Sequence, residues 1–376
     1  MRRFIQDIVR ERYLFAGARR RYVNLYKQII AHNPGLGLNV AATNEEEWLK
    51  RWRKYDKHVS PLGYRIFSKY VGEDLNIMPL EVCVNIVEPV LCPEYYRGLY
   101  SDKNSLTRLY PGIPQPKVLL RNIDGHYYDE NYKQYKGDAF VLEEMLTGDV
   151  IVKPSCSQSG VGVRLFQKQL DGRYVDSNNN ILTKEFLEDT YKQNFLLQER
   201  FQQSDFLAQF NASSTNTLRI STYRDRQGEP HVLGVFLRIG GANAIVDNAH
   251  GGGVFCNVSL SGELGKCVYD MWGRREVVFG GKDFGNTFYR IPNFMQVLKF
   301  AENVAATTLH HDLLALDILL DKKNNPVLLE VNVGGFAGWS VQMTSGAIFG
   351  SYTAEVMDYC TQVSARPRFM LDVMGR

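Results

Sequence analysis

An α+β fold, helical at the front and mainly antiparallel β at the back, is what this sequence predicts. Three observations predict it. Apolar residues recur at helical spacing near the N-terminus (Ile5, Ile8, Val9, then Tyr22, Leu25, Tyr26, Ile29). From about residue 195 the chain becomes a series of short β-rich runs, 195–198, 217–223 and 231–238. Two further apolar runs, 314–321 and 326–332, flank the polar turn Lys322-Lys323-Asn324-Asn325, the pattern of a hairpin. The length of 376 residues suggests two to three domains, at about 150 residues each. We divide the chain into a helical region 1–100, a mixed region 101–196 and a strand-rich region 197–376.

Composition narrows the function class. At 44% apolar and 23% charged residues the chain reads as globular, which excludes disordered, collagenous and disulfide-scaffold classes. Six cysteines are scattered without a C-x-x-C pair, so neither a zinc site nor a disulfide framework is expected, and a reduced, cytoplasmic setting fits. No apolar run approaches the roughly 18 residues of a membrane span, and the arginine-rich start lacks the apolar stretch of a signal peptide. A net charge of +3 gives no case for nucleic acid as a partner.

The elements follow in order. Residues 1–57 carry 13 Lys and Arg against 6 Asp and Glu, a local +7 that leaves the remainder at −4. Cations and apolar residues alternate there at amphipathic spacing. Two readings stand: a solvated helix face packed on the next domain, or contact with a polyanionic substrate or an anionic surface such as the inner face of a membrane. The helical region ends near 100, where Glu88-Pro89 and Leu91-Cys92-Pro93 break the pattern. Turn signals at Pro111-Gly112-Ile113-Pro114 precede an apolar strand at Val118-Leu119-Leu120. A second strand, 149–154, is closed by Pro154. Pro292-Asn293 caps a helix whose one face carries Phe294, Val297, Leu298, Ala301, Val304, Ala305, Thr308 and Leu309.

The 314–332 hairpin carries the most chemistry. A turn centred between Lys323 and Asn324 sets Asp317 opposite Glu330, with Cβ atoms about 4.5–5.5 Å apart. Asn332 shares the face of Glu330. Two opposed carboxylates repel, so a raised pKa, an arginine or a divalent cation must compensate. Asp, Glu and Asn together form an all-oxygen set that suits Mg²⁺. The alternative is that one acid pairs with an arginine in a shifted register.

Upstream, the strand ending at Lys153 runs into a loop of small residues, Ser155-Cys156-Ser157-Gln158-Ser159-Gly160-Val161-Gly162. Small side chains let backbone N–H groups approach phosphate oxygens, and Lys153 would bring charge to the strand end. A plain hairpin turn with a surface lysine is the other reading, since neither established glycine-loop fingerprint is present. Cys156 reads as a small filler and His310-His311 as structural. His250, beside Gly251-Gly252-Gly253, stays open between a turn histidine and a substrate contact.

Taken in this order, the pieces resemble the ATP-grasp superfamily. Asp102-Lys103 with Gly112-Ile113-Pro114 is similar to its opening. Residues 150–162 are similar to the strand and phosphate lid of D-alanine–D-alanine ligases, and 197–201 to the hinge between subdomains. The 13-residue interval from Asp317 to Glu330, followed by Asn332, is similar to the magnesium triad. The nearer likeness is to the sugar-transfer-associated ATP-grasp family, which sits among polysaccharide-biosynthesis proteins. It is carried by Ser101-Asp102-Lys103-Asn104, residues 118–123, residues 216–222 and Asn248-Ala249-His250-Gly251-Gly252-Gly253, and spans about 100–350.

The resemblance implies an ATP-grasp fold of two α+β subdomains gripping ATP, preceded by the helical region. It implies ATP and Mg²⁺ as cofactors. Lys103 and Lys153 would hold the phosphates, with Ser157, Gln158, Ser159 and Gly160 closing over them. Gln198 and Glu199 with the backbone of Arg200 and Phe201 would hold adenine, and Asp205 the ribose. Asp317, Glu330 and Asn332 would bind Mg²⁺. Arg219 and Arg238 would stabilise the transferring phosphoryl group. Asn248, His250, Gly251 and Gly252 would form the acceptor site; the glycine-bearing 334–346 segment, read as a loop, directly follows the metal residues and adds Trp339 to it, the alternative being an ordinary loop with Trp339 in the core. One departure is Ala315: the dipeptide ligases carry arginine there, so either Arg238 takes that role or the intermediate is bound differently. The implied activity is ATP-dependent carboxylate–amine ligation through an acyl phosphate. Its substrates would be a small or lipid-linked sugar acid and an amine, in surface polysaccharide biosynthesis. A kinase on the same scaffold and a non-catalytic nucleotide-binding scaffold are the rivals.

Overall fold

The computed structural model describes residues 13, 15–38, 41–136, 140–157, 160–242, 244, 247, 251–336 and 338–365. The expected start of the basic N-terminal helix, residues 1–12, lies outside them. Helix Ala16–His32 buries Ala18, Tyr26 and Ile29 and leaves Arg20, Arg21 and Lys27 in water. Helix Glu45–Trp52 follows the same logic. Trp48 and Trp52, one turn apart, are both buried, and their indole N–H groups donate to the carbonyls of Ile77 (2.7 Å) and Leu75 (3.0 Å). Helix Pro61–Val71 has Pro at its first position and Ser60 as its cap, the hydroxyl accepting from Leu62 N at 3.3 Å.

The break expected at Glu88-Pro89 is absent. The chain stays helical from Leu80 to Leu91, with a π-helical turn over Cys83–Val87 followed by helix Glu88–Leu91. The wider turn re-registers the hydrogen bonds, so Pro89, which has no N–H to give, sits at the start of the new segment. Short helices continue to Leu109 before the first strand, Val118–Ile123.

Among the described residues two large antiparallel sheets follow, with a two-stranded ribbon of Val278–Phe279 and Lys282–Asp283 beside them. The smaller has six strands in the order His126–Tyr128, Val118–Ile123, Phe195–Glu199, Val150–Pro154, Arg164–Lys168, Tyr174–Val175. The larger has seven, Arg275–Glu276, Leu264–Tyr269, Val254–Val258, Pro230–Ile239, Thr217–Arg224, Leu313–Leu320 and Pro326–Asn332. Phe195–Glu199 lies inside the smaller sheet. The division expected at 196/197 therefore cuts a strand, and the passage to the larger sheet comes after Glu199.

Period-2 alternation decides what each face meets. In the smaller sheet Val150, Val152, Phe195 and Leu197 point into a core with helix Lys184–Tyr191. In the larger sheet Leu314, Leu316, Ile318 and Leu320 pack under helix Phe294–Thr307. That helix buries Phe294, Val297, Ala301, Val304 and Ala305, as its pattern predicts, but it ends at Thr307, and Leu309, expected on the same face, is exposed. Asn293 stands at its N-cap, but its side chain makes no capping bond. On the opposite face Leu313 and Ala315 are covered by the N-terminal helical layer. The next residues on that face, Asp317 and Leu319, line a cavity instead.

Candidate functional site

The cavity, about 310 Å³, lies where the uncovered faces of the two sheets meet. Ile151, Lys153 and Gln198 come from the smaller sheet. Arg219, Arg238, Asp317, Leu319, Leu329, Glu330 and Asn332 come from the larger. Lys103, Ser157, Gly160, Glu199 and Phe201 complete the charged and lid-side walls, with Gly334 and Gly335 just past the hairpin.

Asp317 pairs with Glu330 across the hairpin, and Ala315 with Asn332. The turn differs from the simple expectation. Nearer the turn Ile318 pairs with Leu328, so Leu329 is the extra residue of a bulge. Leu329 and Glu330 then both face the cavity. On the other side of Asp317 stands Arg219, its direct partner on strand Thr217–Arg224. Two acids and an arginine thus form one row across three strands.

Arg219 grips Asp317 through Nε to Oδ1 and through Nη2 to Oδ2 at 3.0 Å. Arg238 Nη1 reaches Oδ2 at 3.3 Å. Asp317 is only 3% exposed. Burial pushes its carboxyl up, but the two guanidiniums outweigh burial and hold it below the usual carboxylate range. The compensation open at the sequence level is therefore supplied by arginine, without a shifted register. Lys103 Nζ lies 3.1 Å from Glu330 Oε1 and donates to the Ser157 carbonyl at 2.7 Å. Lys153 is 7% exposed. Burial, then repulsion from Lys103, lowers its pKa to about 8, with Glu330 opposing the drop.

These residues fit a hard divalent cation. Among the described residues no three His, Cys, Asp or Glu side chains cluster as a metal site, and the third oxygen beside Asp317 and Glu330 is an amide one. Asn332 carries it: its Nδ2 is committed to the Ala315 carbonyl at 3.0 Å and Asp317 Oδ2 at 3.5 Å, so Oδ1 is the atom that could meet a cation.

The other expected residues are divided between the cavity and places outside it. Arg200 is outside the lining. Its N–H donates to the Asp149 carbonyl at 2.9 Å and its guanidinium pairs with the Asp149 carboxylate at 3.1 Å, so its backbone donor is already used. Asp205 is exposed and pairs with Lys322 at 2.9 Å. Glu199 lines the cavity and also pairs with Lys117 at 3.1 Å. Gln158, Ser159, Asn248 and His250 lie outside the described residues. Gly251 and Gly252 pack on Gly241, where an added Cβ would come 2.7 Å from the Gly251 carbonyl oxygen. Trp339 is half-buried and meets the Phe255 ring edge-on at 5.6 Å. The segment expected as a loop contains helix Gly338–Ser345, with Ser340 to Thr344 buried. Cys156 is exposed rather than a filler. His310 stacks on Tyr96 at 3.8 Å and His311 is buried.

Three residues at or near the cavity were not singled out from the sequence. Asp247 lines the cavity and pairs with Arg238 at 3.1 Å. It directly precedes the Asn248–Gly253 motif, which was the available signal. Thr217 donates its hydroxyl to Asp247 Oδ2. Arg97, on helix Glu94–Ser101, packs over Gly334: a Cβ there would stand 3.4 Å from Arg97 Nη1. At Ala315, where arginine was expected, no guanidinium stands; Arg219 on the neighbouring strand and Arg238 both pair with Asp317 instead.

No curated protein matches the chain. Among solved structures it is similar to an L-amino acid ligase from Bacillus licheniformis (14% identity, TM-score 0.38), covering 69% of this chain and 47% of that one. It is also similar to a D-alanine–D-alanine ligase from Bacillus anthracis (11%, TM-score 0.37, 74% and 71% covered). A third is a biotin carboxylase from Campylobacter jejuni (12%, TM-score 0.41, 69% and 46% covered). The chain spans about half the length of the first of these. Residues 93–356 match the family described as sugar-transfer associated ATP-grasp, and the chain belongs to that family.

Proposed function

We propose that this protein is an ATP-dependent carboxylate–amine ligase that works through an acyl phosphate. The observation that carries the reading is the Glu330–Asp317–Arg219 row facing Lys103 and Lys153 across one cavity. Phosphoryl transfer needs positioned charge more than covalent groups. The acceptor carboxylate oxygen attacks the γ-phosphorus and the bond to the β-phosphate oxygen breaks, releasing ADP. An amine nitrogen then attacks the acyl carbon, the carbon–oxygen bond to phosphate breaks, and phosphate and a proton leave. Lys103 and Lys153 hold the phosphates, Arg219 and Arg238 meet the charge developing on the phosphoryl oxygens, and Pro116, Ile151, Phe201, Leu319 and Leu329 offer an apolar slot for the base. Asp317, Glu330 and Asn332 would hold Mg²⁺, which when bound neutralises phosphate charge.

The acceptor side is supported by Arg97 over Gly334, a guanidinium suited to an anionic substrate beside the cavity wall. Together with the family description it favours a sugar acid as the carboxylate and a role in surface polysaccharide synthesis. The test is ADP release screened over sugar acids and amines. We expect release that requires both a carboxylate and an amine. Release with a hydroxyl substrate alone identifies the kinase alternative.

A further inference from the structure

We propose that Asp247 is a positioning residue for the metal-binding acid: it draws Arg238 to itself and so leaves Asp317 able to accept a divalent cation. The inference rests on the ligase reading above. Asp317 already has Arg219 on both of its oxygens. A second guanidinium committed wholly to it would make the pocket floor positive where a cation has to sit. Arg238 is instead forked. Nη1 is 3.3 Å from Asp317 Oδ2, while Nη2 is 3.1 Å from Asp247 Oδ1 and 3.5 Å from the Asp247 carbonyl. Asp247 thus takes the larger share of it.

Asp247 is itself fixed. It is 7% exposed, and its other carboxylate oxygen accepts from the Thr217 hydroxyl. Thr217 stands directly opposite Arg238 on adjacent strands. Acid, hydroxyl and guanidinium therefore form a closed set anchored in the sheet. Arg219 and Arg238 face Asp247 and Asp317, so this set of four is neutral, as is the neighbouring Glu330–Lys103 pair. Removing the Asp247 charge frees Arg238 to close on Asp317, which competes with the cation, and leaves the cavity more positive, which favours a bare phosphate. A simple packing defect predicts no such opposite signs.

The experiment is calorimetric titration of ADP with and without Mg²⁺ on the full chain. For wild type we expect Mg²⁺ to tighten ADP binding. Asp247→Asn should lose roughly tenfold or more of that tightening, the scale seen when partners that orient a metal ligand are removed. Its affinity for ADP alone should be unchanged or higher. Thr217→Val, which keeps shape and removes the hydroxyl, should shift the same way by less, and it stands in if Asp247→Asn does not fold. In an Arg238→Gln background Asp247→Asn should add nothing, because its effect runs through Arg238. Full Mg²⁺ tightening in Asp247→Asn and Thr217→Val, equal loss of ADP affinity with and without Mg²⁺, or an additive double variant would each overturn the inference. A wild-type protein whose ADP binding ignores Mg²⁺ would instead overturn the parent reading, and the inference with it.

Discussion

Glu330 and Lys153 are the residues on which the site can be separated from the fold. Glu330 is partly exposed and bonded to Lys103, so Glu330→Gln keeps the shape while removing one of the two acids. We expect folding to be unaffected by circular dichroism and turnover to be abolished; near-normal ADP release would remove Glu330 from the metal set. Lys153→Met keeps the stem and deletes the charge, and ADP affinity should fall by about 1–3 kcal/mol, the scale of a charged hydrogen bond. The pKa of about 8 adds a pH signature. Free lysine titrates near 10.4, so between about pH 8 and 10 the unfolded chain holds a proton that the native site has lost. The cost of burying this charge is therefore full below about pH 8 and eases as pH rises. Phosphate favours the charged form, so ADP binding should take up a proton above about pH 8 and weaken as pH rises further. Calorimetry in two buffers of different ionisation heat reads this directly. Equal heats in both buffers at pH 9 would show that Lys153 does not meet the phosphate.

Elements differ in how much of them the residues disclosed. The 313–332 hairpin was legible because two period-2 runs flank a polar turn, and pairing across such a turn is nearly forced. Its bulge at Leu329 was not, since no Gly or other local signal marks it. Arg219 as the partner of Asp317 was also hidden: the two are 98 residues apart and meet only through strand order. The π-helical turn before Pro89 defeated the rule that proline ends a helix, because a register change rather than a break absorbed the missing donor. Helix Gly338–Ser345 was read as loop because its glycines mask a segment that packs on several sides. That helix supports one further prediction. Truncating a core Trp costs about 3–5 kcal/mol. Trp339 is half-buried on Phe255, so Trp339→Ala should lower the melting temperature clearly while leaving acceptor KM unchanged in the folded fraction. A raised KM with normal melting would return Trp339 to the acceptor site.

At the scale of the whole molecule the function follows from which surfaces are left uncovered. The N-terminal helical layer covers Leu313 and Ala315 but stops short of Asp317. The smaller sheet turns Lys153 and Gln198 toward the same space. Helix Glu94–Ser101 then brings Arg97 over Gly334 and leads the chain to Lys103. Asp317 and Glu330 come from the larger sheet, Lys153 from the smaller, and Lys103 and Arg97 from the helical layer and its exit, and their convergence was visible in the sequence only through a family likeness. The central claim is that ATP activates a carboxylate. Labelling the acceptor carboxylate with oxygen-18 tests it most directly, because displacement of the acyl phosphate by an amine leaves one carboxylate oxygen in the released phosphate. The account predicts one labelled oxygen per phosphate formed, with amide product in equal amount. Phosphate free of label, or phosphoryl groups retained on the acceptor's hydroxyl, would contradict it.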